Sequence, residues 1–273
     1  MLVIKTKGKK DAPTVTNGPG IVMSYVTASH NQFESTLSGQ SVVVIGGSAG
    51  IGLETARRAH TQGAKVILTA RNPEQLERAA KEIDALSTAS FDALNFKLLE
   101  KFFDDLPMVD HVLVTGPGPY YAPLAEFDIE SARRDIEAHL LLPIQVSRSA
   151  RNKVRQGGTL LFIGGTGGRS TATGLVLISA LTAALPAMTR TLALELAPVR
   201  VNVIAAGFVD TPLSERLLGE KIEDRRNQLR TKLPIQRGVE PADVAALAIH
   251  IMTNTALTGA TYDIDGGQQL VSM

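Results

Sequence analysis

The chain of 273 residues contains no cysteine and no tryptophan. Without cysteine it has no disulfide, no thiolate nucleophile and no cysteine metal site. Its five histidines, His30, His60, His111, His139 and His250, stand too far apart to form a local His-x-x-x-His ligand pair, so no protein-bound metal is expected. An excess of either charge is also lacking: 28 basic and 27 acidic residues are interleaved and leave a formal net charge of +1. Such a balance builds no field for nucleic acid or an anionic membrane, and neither partner is expected. No run approaches the roughly 20 apolar residues of a membrane span. Residues 1–20 carry Lys5, Lys7, Lys9 and Lys10 without the apolar stretch of a secretion leader, which makes a cytoplasmic location the default expectation. The composition is 44% hydrophobic, enough to fill the core of one large domain or two small ones.

Residues 1–37, rich in Thr, Ser, Gly and Asn, show neither helical nor strand periodicity and read as a partly disordered extension. From residue 38 the pattern changes. Val42-Val43-Val44-Ile45 runs directly into Gly46-Gly47-Ser48-Ala49-Gly50-Ile51-Gly52, and G-x-x-x-G-x-G after β-preferring residues describes a phosphate-binding strand–turn–helix. Gly46 lets the chain leave the strand, Gly50 lets backbone N–H groups approach a pyrophosphate, and Gly52 lets the helix pack close to the strand.

Strands are predicted at 42–45, 65–69, 87–91, 111–114, 159–163, 199–204 and 261–264. Helices are predicted at 53–61, 73–83, 94–103, 129–154, 175–196 and 241–252, with a helical insertion over about 212–230. Such alternation predicts a single α/β domain over 38–273: a doubly wound parallel sheet of about seven strands with helices on both faces and ligands at the strands' carboxyl ends. No second domain and no repeat is visible. The second strand ends in Thr69-Ala70-Arg71-Asn72. An acid there would accept from a ribose 2′-OH, whereas Arg71, with Ser48 in the adjacent turn and the uncharged Ala70, suits a 2′-phosphate. NADP(H) is therefore the expected cofactor; the other reading of Arg71 is a solvated arginine at a helix start.

The order of these pieces resembles the short-chain dehydrogenase/reductase family over about residues 38–270, and implies a Rossmann fold. Gly46-x-x-x-Gly50-x-Gly52 is similar to the family's cofactor turn, Asp92, followed by Ala93, sits where the family places an acid near the adenine, and Thr115-Gly116-Pro117-Gly118 stands in for its Asn-Asn-Ala-Gly. Arg200-Val201-Asn202, Gly207-Phe208-Val209-Asp210-Thr211-Pro212 and Asp265-Gly266-Gly267 are similar to further family blocks. The resemblance implies cofactor contacts from Gly46, Ser48, Gly50, Ile51, Gly52, Arg71, Asn72, Asp92, Ala93, Thr115, Gly116, Pro117, Gly207, Val209 and Thr211. Thr211 falls where the family touches the nicotinamide carboxamide; the same hydroxyl also suits a helix N-cap. A homodimer or homotetramer is implied too, although Pro186, expected to kink the helix at 175–196, alters an element the family often uses for pairing.

The catalytic tetrad of that family is missing. Aligning Ile163-Gly164-Gly165-Thr166-Gly167 with the family segment puts Gly165 at the serine, Ile178 at the tyrosine and Thr182 at the lysine; the asparagine position is His139. None of Tyr25, Tyr120, Tyr121 and Tyr262 is followed four residues later by lysine, so the dyad is absent whatever the register. Four candidates for substitute chemistry remain. Tyr120, beside Tyr121, offers a phenol or a packing residue. His139, with an ordinary pKa of about 6.5, offers a general acid or a satisfied core histidine. Thr166 and Arg169 offer a hydroxyl and a guanidinium for a substrate oxygen, or a loop residue and a surface charge.

Three functions follow. One is an atypical NADPH-dependent reductase of a small hydrophobic carbonyl or iminium compound in specialised metabolism; an iminium acceptor needs no proton. The second is a non-redox cyclase or isomerase, such as a Diels–Alderase, with the cofactor as scaffold. The third is a cofactor-sensing regulator. A substrate lid at about 208–233 favours an enzyme.

Overall fold

A computed structural model describes residues 4–5, 14–17, 21–24, 36–169 and 171–271. Residues 1–36 form one unit, in which β1 (Ile4–Lys5), β2 (Thr14–Asn17) and β3 (Ile21–Ser24) pair antiparallel in that order. The rest of the extension, with the expectation of partial disorder, lies outside the described residues.

The second unit, from Leu37 onward, alternates strands and helices. Its first strand, β4 (Ser41–Ile45), is followed by α1 (Gly50–Thr61), β5 (Lys65–Ala70), α2 (Pro73–Ile83), β6 (Ser87–Ser90), α3 (Phe96–Asp105) and β7 (Val109–Val114). Next come α4 (Ile129–Ile136), α5 (Leu142–Ala150), β8 (Val154–Gly165), α6 (Val176–Glu195) and β9 (Arg200–Ala206). The chain ends with α7 (Pro212–Leu218), α8 (Ile222–Lys232), α9 (Pro241–Thr253) and β10 (Thr261–Ile264). All seven strands pair in parallel in the order β10-β9-β8-β7-β4-β5-β6.

Both faces of the sheet are covered, which is why β4 reads as a continuous apolar run. Val42 and Val44 pack with Ala56, Leu68 and Val244 on one side, while Val43 and Ile45 pack with Phe103, Val112 and Phe162 on the other. The strand order reverses between β4 and β7, and the carboxyl ends of these two strands are the place where such sheets take ligands. Arg200 locks the far end of the domain. Its buried guanidinium donates to the carbonyls of Ile251, Met252, Asn254 and Leu257 at the end of α9, and to Gly157.

Two departures from the sequence expectations are visible, and the first has a local cause. The helix expected over 129–154 is α4, a wider π turn (Glu137–Leu141) and α5, and Val154 already belongs to β8. Pro143 has no N–H to give the carbonyl of His139 four residues earlier, and its ring crowds that carbonyl; the wider turn relieves both. By length and composition α6 could cross a membrane, contrary to the expectation of no such run; it packs instead on the sheet through Ile178, Leu181, Thr182, Leu185 and Thr189.

The insertion after β9 is closed at its neck, where Val209 bridges Val239 and the Asp210 N–H donates to the Val239 carbonyl at 2.9 Å. Within it, Arg226 of α8 grips both oxygens of Asp210, at 2.7 and 2.8 Å, and also engages Glu215 and Glu223.

Candidate active site

The turn between β4 and α1 is a cradle that side chains would fill. Gly46 has φ +86°, and a Cβ there would lie 2.2 Å from Thr115 Oγ1; a Cβ on Gly52 would lie 2.2 Å from the Gly46 carbonyl oxygen. Gly47, not singled out from the sequence, packs so closely under Leu68 that a Cβ would meet it at 2.7 Å. The N-terminus of α1 starts after Ala49 with no side-chain cap and no acid in its first turn, whereas Asn72, Asn95, Asp128 and Thr211 cap α2, α3, α4 and α7. N–H groups left open at a helix start suit a phosphate. Ser48 and Ile51 flank this opening, both half-buried.

Other cofactor candidates converge on the same crevice. Thr115 donates from Oγ1 to the carbonyls of Ile45 and Gly46 at 3.1 Å each, tying the ends of β7 and β4 together. A Cβ on Gly50 would touch the Thr211 methyl at 3.5 Å, so the start of α7 stands against the start of α1. The Thr211 hydroxyl serves the capping box with Ser214, 2.8 Å from its hydroxyl oxygen. Gly207 is required by its approach to Asp265, whose Cβ would lie 2.7 Å from a Gly207 Cβ, and Val209 is buried beneath. At the other side of the crevice Arg71 is exposed at the end of β5 with no carboxylate partner among the described residues. Asn72 caps α2 by accepting from the Gln75 N–H at 2.9 Å, exposed Asp92 accepts from the Leu94 N–H at 3.1 Å, and Ala93 packs into the core. The cradle, the uncapped helix start and the free cation together fit a dinucleotide with a 2′-phosphate.

His139 lies in the π turn, and its Nε2 approaches the 115–118 turn: a Cβ on Gly116 would be 3.5 Å away. Nδ1 is 3.0 Å from Asp135 Oδ1 and 3.1 Å from the Asp135 carbonyl. Burial of the ring works against its charged form. The hydrogen bond and charge of Asp135, helped by the Pro117 carbonyl, outweigh burial and raise the histidine above its ordinary value. Asp135 was not foreseen. Its second oxygen is buried without a partner among the described residues, and the spacing of four to a helical histidine was the signal available.

Of the other three candidates, Tyr120 and Arg169 have their polar groups engaged elsewhere, while Thr166 is held through its backbone. The Tyr120 phenol oxygen accepts from the Asp128 N–H at 2.7 Å and its ring packs edge-on to Phe127, so it staples a loop. Arg169 is turned to the sheet edge, where it pairs with Asp263 and donates to Gln269 at 3.1 Å. Thr166 is buried, its N–H donating to the Ala206 carbonyl at 3.0 Å.

Around Ile178 and Thr182, the positions expected to replace the family's tyrosine and lysine, the glycine loop at 164–168 lies directly on α6. A Cβ on Gly168 would meet the Ala183 nitrogen and Ser179 carbonyl at 2.9 Å, and one on Gly164 would meet Leu185 at 2.5 Å. Thr182 Oγ1 turns back to the Ile178 carbonyl at 2.7 Å. A void of about 10 Å³ remains beside Gly165 and Thr182, room for no more than about one water.

A parallel sheet with a glycine cradle at its reversal point and a helical insertion after its sixth strand defines a nucleotide-binding protein of the doubly wound α/β class. Within that class the chain belongs to the short-chain dehydrogenase/reductase family. The family model described as enoyl-(acyl carrier protein) reductase matches residues 46–269. The chain is 32% identical over 253 residues to the short-chain dehydrogenase/reductase ATR9 of Stachybotrys chlorohalonatus (strain IBT 40285), covering 85% of this chain and 98% of that protein. The solved structure of the MalC reductase/Diels-Alderase from Malbranchea aurantiaca shares the fold at a TM-score of 0.80 and 24% identity, over 87% of this chain and 99% of that one. BdcA, solved in complex with NADPH, matches at a TM-score of 0.77 and 26% identity, over 85% and 95% of the two chains.

Proposed function

We propose that this protein is an NADPH-dependent reductase of a small apolar carbonyl or iminium compound in specialised metabolism, with His139 in place of the family's tyrosine as proton donor. The observation that carries the reading is His139, raised by Asp135 and set against Gly116 at the carboxyl end of β7, beside the Gly46–Gly52 cradle. A carbonyl acceptor draws its proton from His139; an iminium acceptor draws none, and the raised histidine then only holds the 115–118 turn. NADP(H) supplies the hydride, its phosphates held by the α1 start and its 2′-phosphate by Arg71. Thr211 and the lid around Arg226 exclude water from the crevice. The exposed apolar residues Leu141 and Ile144 of the α4–α5 segment and Val176 and Leu194 of α6 support a homodimer or homotetramer.

The close packing of the glycine loop on α6 favours one second reading, a cyclase that uses the bound cofactor as scaffold, as the name of MalC combines both activities. The deciding experiment follows 340-nm absorbance of enzyme-bound NADPH while apolar ketones, aldehydes and cyclic iminium ions are offered. Loss of absorbance supports the reductase; tight NADPH binding with no oxidation by any of them overturns it. In the same assay Arg71→Ala weakens NADPH about tenfold or more and leaves NADH nearly unchanged.

A further inference from the structure

We propose that Arg226 is a positioning residue for cofactor retention: by clamping Asp210 it holds Thr211 and α7 down on the start of α1 and on the 115–118 turn, and NADP(H) leaves only when the clamp opens. The inference rests on cofactor binding at the Gly46–Gly52 cradle and stands whether or not the cofactor then gives up a hydride.

The insertion after β9 has little apolar adhesion of its own. Ser214 is the one fully buried side chain of α7, and α8 carries Ile222 and Leu229 as its only apolar residues, of which Leu229 is buried. Elements with few buried apolar contacts open at low free-energy cost, so polar contacts carry much of the hold on this one. Arg226 supplies them. It meets three acids, but unequally: Asp210 is 29% exposed against 54% for Glu215 and 63% for Glu223, and Asp210 alone receives two parallel bonds, from Nε at 2.7 Å and from Nη2 at 2.8 Å. A sheltered fork holds more firmly than a single exposed pair, so Asp210 is the partner that decides where α8 and its arginine are fastened.

Asp210 stands at the joint between the neck and α7. Its N–H donates to the Val239 carbonyl at 2.9 Å while its carboxylate is taken by Arg226, so its backbone and its side chain are fixed by two separate partners. The next residue, Thr211, caps α7, and its methyl would meet a Cβ on Gly50 at 3.5 Å. Two turns of α7 further on the same segment reaches the other element: Leu213 and Leu217 would each meet a Cβ on Gly118 at 3.1 Å. α7 therefore touches the opening helix of the cradle and the turn after β7 together, and these are the two elements that such a fold uses for its dinucleotide. Taking Arg226 off Asp210 loosens the segment that carries all three contacts. A ligand bound at both elements is then freed as α7 lifts, in the manner of lids whose opening sets the rate of release.

The test follows displacement of bound NADPH by excess NADP+ in stopped flow, read by nicotinamide fluorescence on the full chain. Arg226→Gln is expected to speed release roughly fivefold or more, and Asp210→Asn to do the same, with the cofactor-free protein melting within about 4 °C of the parent. The double variant is expected to release no faster than either single one, because the two share one interaction. Arg226→Lys, which keeps the charge and loses the fork, is expected to fall between. In the cofactor-free protein, amide hydrogen exchange over 211–218 is expected to quicken in Arg226→Gln while that of β4 stays slow. Arg155→Gln, which breaks the pair with Asp110 at the amino ends of β8 and β7, is the control and leaves release unchanged. Unchanged release in Arg226→Gln, additive effects in the double variant, or unaltered exchange over 211–218 overturns the clamp; so does loss of cooperative melting in both single variants, which would make the pair a prop of the whole domain. Because release is read without hydride transfer, a protein that shows the clamp but oxidises no NADPH with any carbonyl or iminium compound keeps the clamp and loses the reductase reading.

Discussion

His139 Nδ1 lies 3.0 Å from the Oδ1 atom of Asp135, one helical turn before it. The carboxylate is almost wholly buried and the imidazole nearly so, with side chains 4% and 13% exposed. The pair is therefore sheltered from salt and solvent, and its effect on the ring is larger than a surface pair would give.

Asp135→Asn removes the charge that raises His139 and leaves burial, which lowers it. A folded value above the unfolded one contributes stability at pH below the unfolded value and loses it as pH rises through the folded one; the Asn variant loses this contribution. The ring-proton titration of His139 by NMR and the alkaline limb of the pH–rate profile should both move to lower pH in the variant. With a carbonyl substrate His139→Ala should lower kcat about a hundredfold with little change in KM for NADPH. With an iminium substrate it should change kcat little.

Gly52→Ala places a methyl group 2.2 Å from the Gly46 carbonyl oxygen, and neither backbone can retreat without opening the cradle. The expected cost is about 2 kcal/mol of stability together with a weakened NADPH affinity, read by thermal melts with and without cofactor. Gly238→Ala, whose added carbon meets only Leu229 at 3.8 Å, is the control and should leave both unchanged.

Arg200 donates to five carbonyls, four of them at or just beyond the end of α9; those of Asn254 and Leu257 also accept from the Leu257 N–H at 3.2 Å and the Asn202 amide at 2.9 Å. Arg200→Ala should destabilise the domain by about 3 kcal/mol in denaturant unfolding, because buried carbonyls are left without donors. The loss comes from unpaired acceptors, so Arg200→Lys should recover only a fraction of it.

His111, buried in β7 with Nε2 2.6 Å from Gln40 Oε1 and Nδ1 without a partner among the described residues, is pushed down to about 4, chiefly by burial. Its stability contribution is complete above the unfolded value near 6.5 and is lost as pH falls through the folded value. Unfolding free energy should therefore drop between about pH 6.5 and 4, by on the order of 3 kcal/mol from this residue, and His111→Gln should flatten that slope.

Strands buried on both faces announce themselves as short apolar runs, so β4, β5 and β7 could be read directly from sequence. Pro73 after the capping Asn72 marked the start of α2 equally well. The break at Glu137–Leu141 was not legible, because its cause is a steric conflict between Pro143 and His139 inside a pattern that stays helical in period. Arg169, open in sequence between a substrate contact and a surface charge, could not be decided there for a different reason: its partner Asp263 is 94 residues away and reaches it only when β10 docks beside β9. Tyr120 and Tyr121 are indistinguishable in sequence, and one hydrogen bond from the Asp128 N–H separates a loop staple from an exposed neighbour. The cofactor half of the site was readable from glycine spacing; the substrate half depends on long-range contacts that no local motif encodes.

The central claim, that the protein transfers a hydride, is tested most directly with NADPH deuterated at C4 of the nicotinamide and an apolar carbonyl or iminium compound, by mass spectrometry of the product. The expected result is a product carrying one deuterium, formed in step with the loss of 340-nm absorbance. A product free of label, or no product while the deuterated NADPH stays bound and intact, contradicts it.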